Sequence, residues 1–259
     1  MSVDTDDDDD TVAPPSSTAV SFTIEGKWAH FRRIDTTTVK QSYRVMPPTT
    51  AMGLIAAMLG YERDSYYNRF SKTNAAFAIV AERPIQPFQI AKLDLSTTEG
   101  DFESGRSKGV LRNLIAREAT ADDRQQRLYE YLRNPAYRII LAVGDDEIHD
   151  ELARRLSNRN YVYTPSLGRS ECIGHISAWD EHSIEQITAD EVDSTAPLDI
   201  VQPSSEISVE RTAQRFSATA HSRQATSFVS YGFSKAGDSI PVLSGTNAHS
   251  VGDDTVVFV

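Results

Sequence analysis

Tyr137-Arg138-Ile139-Ile140-Leu141-Ala142-Val143, followed at once by Gly144-Asp145-Asp146-Glu147-Ile148-His149-Asp150-Glu151-Leu152-Ala153-Arg154-Arg155-Leu156, changes from strand to helix within a few residues. Tyr137, Ile139, Leu141 and Val143 alternate with Arg138 and Ala142, the period of a strand. Asp145, Asp146 and Glu147 complement a helix N-terminus, Ile148, Leu152 and Leu156 share one face, and Arg154 and Arg155 favour the C-terminus. Upstream, Val20, Phe22 and Ile24 alternate with Ser21, Thr23 and Glu25 in a first strand, and Gly26 permits a bulge before Trp28. Pro47 and Pro48 stop extended structure, Thr49 or Thr50 can cap, and Met52, Ile55 and Leu59 run at helical spacing to Gly60. The apolar run Ala75 to Val80 has the composition of a central strand, extended as Ile85 to Leu95 after the break at Pro84. Residues 96–123 lack clear periodicity and are too long for an incidental loop. A further strand is expected at 171–177, after the 161–168 loop. The order β-α-β-β-α-β predicts an α+β, ferredoxin-like (RRM-like) domain over residues 18–188, with 96–123 as a long exposed basic hairpin or loop. Residues 189–206, rich in Asp, Ser and Pro, read as a linker. A small β-rich part extends from there to residue 259, with strand candidates around Ile207, Phe228, Val242 and Val256.

The chain has 259 residues, 39% of them hydrophobic, enough for one large domain with a smaller companion. Ala51 to Leu59, its longest apolar run, is far short of the roughly 20 residues that span a bilayer, so no membrane segment is expected. No export signal is recognisable at the N-terminus, which predicts a cytoplasmic location. The single cysteine, Cys172, excludes an internal disulfide and reads as a small buried hydrophobe. A net charge of −11 opposes nucleic-acid binding at first sight, but its distribution does not. Asp4 and Asp6 to Asp10 fall in a tail, residues 1–17, whose composition predicts disorder. The basic residues comprise 20 Arg and 6 Lys, a balance that fits a halophilic source. Two basic islands stand against this background. Residues 27–44 carry Lys27, Arg32, Arg33, Lys40 and Arg44 against Asp35, and residues 104–138 carry eight basic against four acidic residues; each island nets +4.

Gly105-Arg106-Ser107-Lys108-Gly109 matches the G-x-S-x-G pattern of a hydrolase elbow, but Thr98 to Ser104 before it is no buried strand. The same residues read better as a flexible loop in which Arg106, Lys108 and Arg112 approach phosphates. The six histidines never fall at H-x-x-x-H spacing, and no Walker A or calcium loop is present, so no metal or cofactor is expected. His30, among Lys27, Phe31, Arg32 and Arg33, is a conceivable general base but fits packing or a phosphate contact better. Tyr43, Arg44, Arg32 and Arg33 place a stacking face and phosphate partners side by side, as single-stranded RNA requires.

Four segments together carry a resemblance: Phe22-Thr23-Ile24-Glu25-Gly26 to Phe31-Arg32; Tyr43-Arg44-Val45-Met46-Pro47-Pro48-Thr49-Thr50-Ala51-Met52-Gly53-Leu54-Ile55; Tyr131-Leu132-Arg133-Asn134-Pro135-Ala136-Tyr137-Arg138; and Tyr163-Thr164-Pro165-Ser166-Leu167-Gly168-Arg169-Ser170-Glu171-Cys172. Over about residues 18–180 the chain resembles CRISPR-associated Cas family five of the RAMP superfamily, closest to the haloarchaeal type I-B kind. The resemblance implies a subunit of the Cascade complex that caps the backbone filament, holds the 5′ handle of CRISPR RNA and touches the large subunit. It implies that the family's long hairpin, the thumb, is inserted at about residues 84–135, around the basic 96–123 stretch, and makes Gly168 and Arg169 candidates to lie against the RNA backbone. One branch of the family cuts repeat RNA with a tyrosine, a lysine and a histidine. Tyr43 falls near that tyrosine, but no adjacent Lys-His pair exists here and Lys108 is followed by Gly109. The expectation is therefore a non-catalytic RNA-binding subunit without a small-molecule substrate. A metal-independent endoribonuclease and an assembly scaffold without RNA contact are the alternatives.

Overall fold

The computed structural model describes residues 10–33, 39–95, 124–218 and 223–259. The strands are β1 (Thr18–Gly26), β2 (Trp28–Ala29), β3 (Phe31–Arg32), β4 (Val39–Lys40), β5 (Ser42–Tyr43), β6 (Ala75–Ala81), β7 (Pro87–Leu95), β8 (Arg124–Arg133), β9 (Ala136–Val143), β10 (Gly174–Val192), β11 (Ala196–Pro197), β12 (Ile207–Ala218), β13 (Arg223–Ser234), β14 (Ile240–Val251) and β15 (Asp254–Val256). Helix α1 (Pro48–Leu59) separates β5 from β6, and α2 (Asp146–Asn158) separates β9 from β10. The α+β, ferredoxin-like reading is overturned: 53% of the described residues are strand and 12% helix, in a β-rich multi-sheet fold. The local patterns of the first two-thirds are where the sequence places them. The fold class changes because of the chain beyond residue 177. The expected strand at 171–177 is instead the 19-residue β10, and the stretch read as a linker holds the end of β10 and all of β11. β12 and β13, each 12 residues long, then form a hairpin, and β14 and β15 extend the main sheet.

That main sheet has the order β15-β14-β10-β1-β9-β6, with antiparallel pairing throughout. Strand alternation gives it two apolar faces. Val20, Phe22, Ile24, Phe77, Ile79, Ile139 and Leu141 join Met52, Ile55 and Met58 of α1 and Ile148, Leu152 and Leu156 of α2 in one core. Ala19, Ala76, Ala78, Ile140 and Ala142 of the other face meet Val12, Val251, Val256 and Phe258. The tail read as disordered over 1–17 is thus placed from Asp10 onward: Val12 is buried and donates its N–H to the Phe258 carbonyl at 2.9 Å. Asp145 caps α2, its carboxylate accepting from the N–H groups of Glu147 (3.0 Å) and Ile148 (3.3 Å). Gly60 ends α1 in the left-handed conformation. β7 and β8 pair antiparallel from Pro87–Leu132 to Leu95–Arg124. Their connection contains Arg106, Lys108 and Arg112, which lie outside the described residues. Among the described residues no helix is long and apolar enough to cross a membrane.

Candidate nucleic-acid interface

A groove of about 890 Å³ opens where four parts of the chain converge: β3 with β5, the start of α1, the 164–169 loop, and the β12–β13 hairpin. The first wall is built on a short ladder. Phe31 pairs with Tyr43 on one face and Arg32 with Ser42 on the other; Phe31 and Ser42 are buried, Arg32 is exposed and Tyr43 half-buried. The Ser42 hydroxyl locks this corner, accepting from the Phe31 N–H at 3.0 Å and donating to the Tyr43 carbonyl at 2.8 Å. The Arg33 guanidinium lies 5.4 Å from the centre of the Tyr43 ring. A cation over an aromatic face is a surface on which a base can stack.

The second wall is the loop before β10. The His30 backbone N–H donates to the Leu167 carbonyl at 3.0 Å, and that of Leu167 donates to the Cys172 carbonyl at 2.8 Å, drawing the loop against the strand. Gly168 has φ +93°, and a Cβ there would lie 2.1 Å from the His30 carbonyl oxygen, so only glycine fits. Next to it, the Arg169 guanidinium lies 4.8 Å from the Tyr129 ring centre, and its Nε is 2.7 Å from Glu171 Oε1. The third wall is Arg211, Ala213, Phe216 and Phe228, with Arg211 5.0 Å from the Phe228 ring. The N-terminal turn of α1, which carries no side-chain cap, adds Thr49 and Thr50, and a helix N-terminus favours anions.

Five of the residues singled out in the sequence, Arg32, Arg33, Tyr43, Gly168 and Arg169, line this one groove. Arg44 does not. Its guanidinium is turned to Glu130, which it grips with Nη1 and, at 3.2 Å, with Nη2, while its N–H donates to Glu210 at 2.6 Å. Burial raises the Glu210 carboxyl above its ordinary range, against the pull of Arg44 and Arg33. Sequence reasoning missed Arg211, Phe216 and Phe228, because the register that brings the β12–β13 hairpin over α1 depends on contacts made across the whole chain. The one available signal was the alternation of Val209, Arg211 and Ala213.

His30 is 1% exposed, and its Nδ1 lies 2.6 Å from the Glu130 carbonyl. A carbonyl only accepts, so Nδ1 carries the proton. Burial holds the imidazole below its ordinary pKa, and Nε2 has no partner among the described residues. Tyr129 and Tyr131 pack on the ring at 5.7 and 5.4 Å. These are the surroundings of a packed histidine. Cys172 is buried and its thiol is pushed up to about 11, which makes it inert.

A family model described as CRISPR-associated protein (Cas_Cas5) matches residues 19–224, a range that contains residues of every wall of the groove. The chain belongs to this CRISPR-associated family. Among solved structures, this Cas5-family chain is similar to one from a CRISPR RNA-guided surveillance complex, with 11% identity, coverage of 90% of this chain and 91% of the other, and a TM-score of 0.52. At that identity the two share a fold. It also matches a CRISPR protein of Archaeoglobus fulgidus at 14% identity and a TM-score of 0.48, covering 93% of this chain and 98% of that one. A search of the curated proteins finds no match.

Proposed function

We propose that this Cas5-family chain is a non-catalytic subunit of a type I CRISPR interference complex that holds the 5′ handle of CRISPR RNA in the groove. The supporting observation is the set of cations and aromatic faces around it: Arg33 with Tyr43 and Arg211 with Phe228 on its walls, and Arg169 held beside them on the buried Tyr129. Phosphates seek cations and unpaired bases seek π-faces, and single-stranded RNA presents both at each nucleotide. In this reading the thumb cations Arg106, Lys108 and Arg112 continue the phosphate track, and the backbone and large subunits of the complex are the protein partners. The chain's net charge of −11 makes a local basic groove the more necessary, since the overall field repels RNA.

Catalysis requires a base within reach of a 2′-hydroxyl and a donor for the developing phosphorane charge. His30 has one nitrogen committed to a backbone carbonyl and the other buried. An unperturbed tyrosine is a poor base, with a pKa near 10. The purified chain is expected to leave repeat RNA intact with or without divalent metal, and Tyr43→Phe to leave guide maturation unaltered. The binding site is tested by photocrosslinking the assembled complex: handle nucleotides are expected on Tyr43 and Phe228. Crosslinks confined to other subunits contradict the assignment.

A further inference from the structure

Beside the groove, three donors from three parts of the chain converge on one oxygen. Lys92 Nζ of β7 is 2.9 Å from Glu171 Oε1, the Tyr131 hydroxyl of β8 donates to it at 3.2 Å, and Arg169 Nε of the loop lies at 2.7 Å. Lys92 also donates to the Tyr131 hydroxyl at 3.0 Å. The donors are anchored independently of the carboxylate. Tyr131 is 4% exposed, Lys92 lies over the Tyr129 and Tyr131 rings at 5.3 and 5.7 Å, and Arg169 rests on Tyr129. Glu171 sits in a turn with its side chain 40% exposed, against 32% for Lys92 and 35% for Arg169.

We propose that Lys92, Tyr131 and Arg169 form a subsite for a phosphodiester of bound RNA, and that Glu171 is the group the phosphate displaces. The proposal rests on the RNA-binding reading above and extends the groove from Arg169 onto the β7–β8 hairpin. A phosphate oxygen accepts the same N–H and O–H donors as a carboxylate oxygen, and a lysine, an arginine and a hydroxyl on fixed supports are a preorganised phosphate cradle. The side chains of Lys92, Arg169 and Glu171 are all partly exposed, so solvent and salt screen the pairs and a second anion can reach the donors. The carboxylate keeps the cations aligned and holds weakly binding anions out, so that only a polyanion with further contacts in the groove replaces it.

The test compares binding of a labelled single-stranded repeat RNA to the full chain, to Glu171→Gln, and to Glu171→Gln combined with Lys92→Ala. Removing the competing charge is expected to tighten binding about three- to tenfold and to steepen its salt dependence, with both gains lost in the double variant. A Glu171→Gln chain that keeps the parent's unfolding temperature and binds RNA no more tightly overturns the subsite. Should that variant fail to fold, the wild-type chain decides. Burial pushes the Glu171 carboxyl up, but the hydrogen bond from Lys92 and the charges of Arg169 and Lys92 prevail and hold it down to about 2. It should titrate higher when RNA takes those donors. A carboxylate ¹³C titration unchanged by saturating RNA overturns the subsite and leaves the groove assignment standing. Failure of the wild-type chain to bind RNA at all overturns the groove assignment itself.

Discussion

Gly168 shows how one residue decides the groove. Its positive φ, and the 2.1 Å that would separate an alanine Cβ from the His30 carbonyl oxygen, mean that Gly168→Ala must push the loop from the strand, carrying Arg169 with it. A destabilisation of more than about 2 kcal/mol is expected in chemical denaturation, with weaker RNA binding. His30 acts on stability through pH. Burial lowers its folded pKa below the unfolded value of 6.5, so the unfolded chain takes up the proton first and stability falls as the pH drops through 6.5 towards the folded pKa. Between about pH 7.5 and 5.5 the parent should lose stability more steeply than His30→Gln, the difference reaching at most about 1.4 kcal/mol per pH unit for one proton. Equal slopes would show that His30 does not titrate differently in the two states.

At the scale of elements, α2 was legible because its signals are local: acidic residues at its start, an apolar stripe and arginines at its end all lie in or beside the helix. Asp145→Ala removes the two cap hydrogen bonds and should cost about 1 kcal/mol of stability in urea unfolding. The N-terminal segment was misread because composition dominated the reading. The aspartate run and prolines concealed Val12, whose burial depends on the distant Phe258. Deleting residues 1–9 is expected to leave the unfolding transition unchanged, whereas deleting 1–16 exposes the apolar face covered by Val12 and should lower stability by about 1–2 kcal/mol. β10 was cut short in the sequence reading because its second half, Ser183 to Glu191, alternates polar with half-buried residues and has no continuous apolar run. Its partner β14 lies about 60 positions downstream, and pairing at that distance leaves little local trace.

For the molecule as a whole, residues near one another in sequence were easier to group than the fold class was to read. Arg32, Arg33 and Tyr43 were marked by local chemistry and Gly168 and Arg169 by the family resemblance, and the structure brings the five to one groove while Arg44 turns to Glu130 and Glu210. The class was lost because the C-terminal third builds sheets through long-range pairs, and with them the wall of Arg211, Phe216 and Phe228. Family membership rests on the 19–224 match, and the RNA assignment on the charge and ring pattern of the groove. The most direct measurement is the RNA content of the complex purified through a tagged Arg32→Glu, Arg33→Glu, Arg211→Glu chain. Loss of guide RNA, with the folded chain still present, is the predicted result. A full complement of guide RNA, with its 5′ handle protected as in the parent, would contradict the groove as the handle's seat.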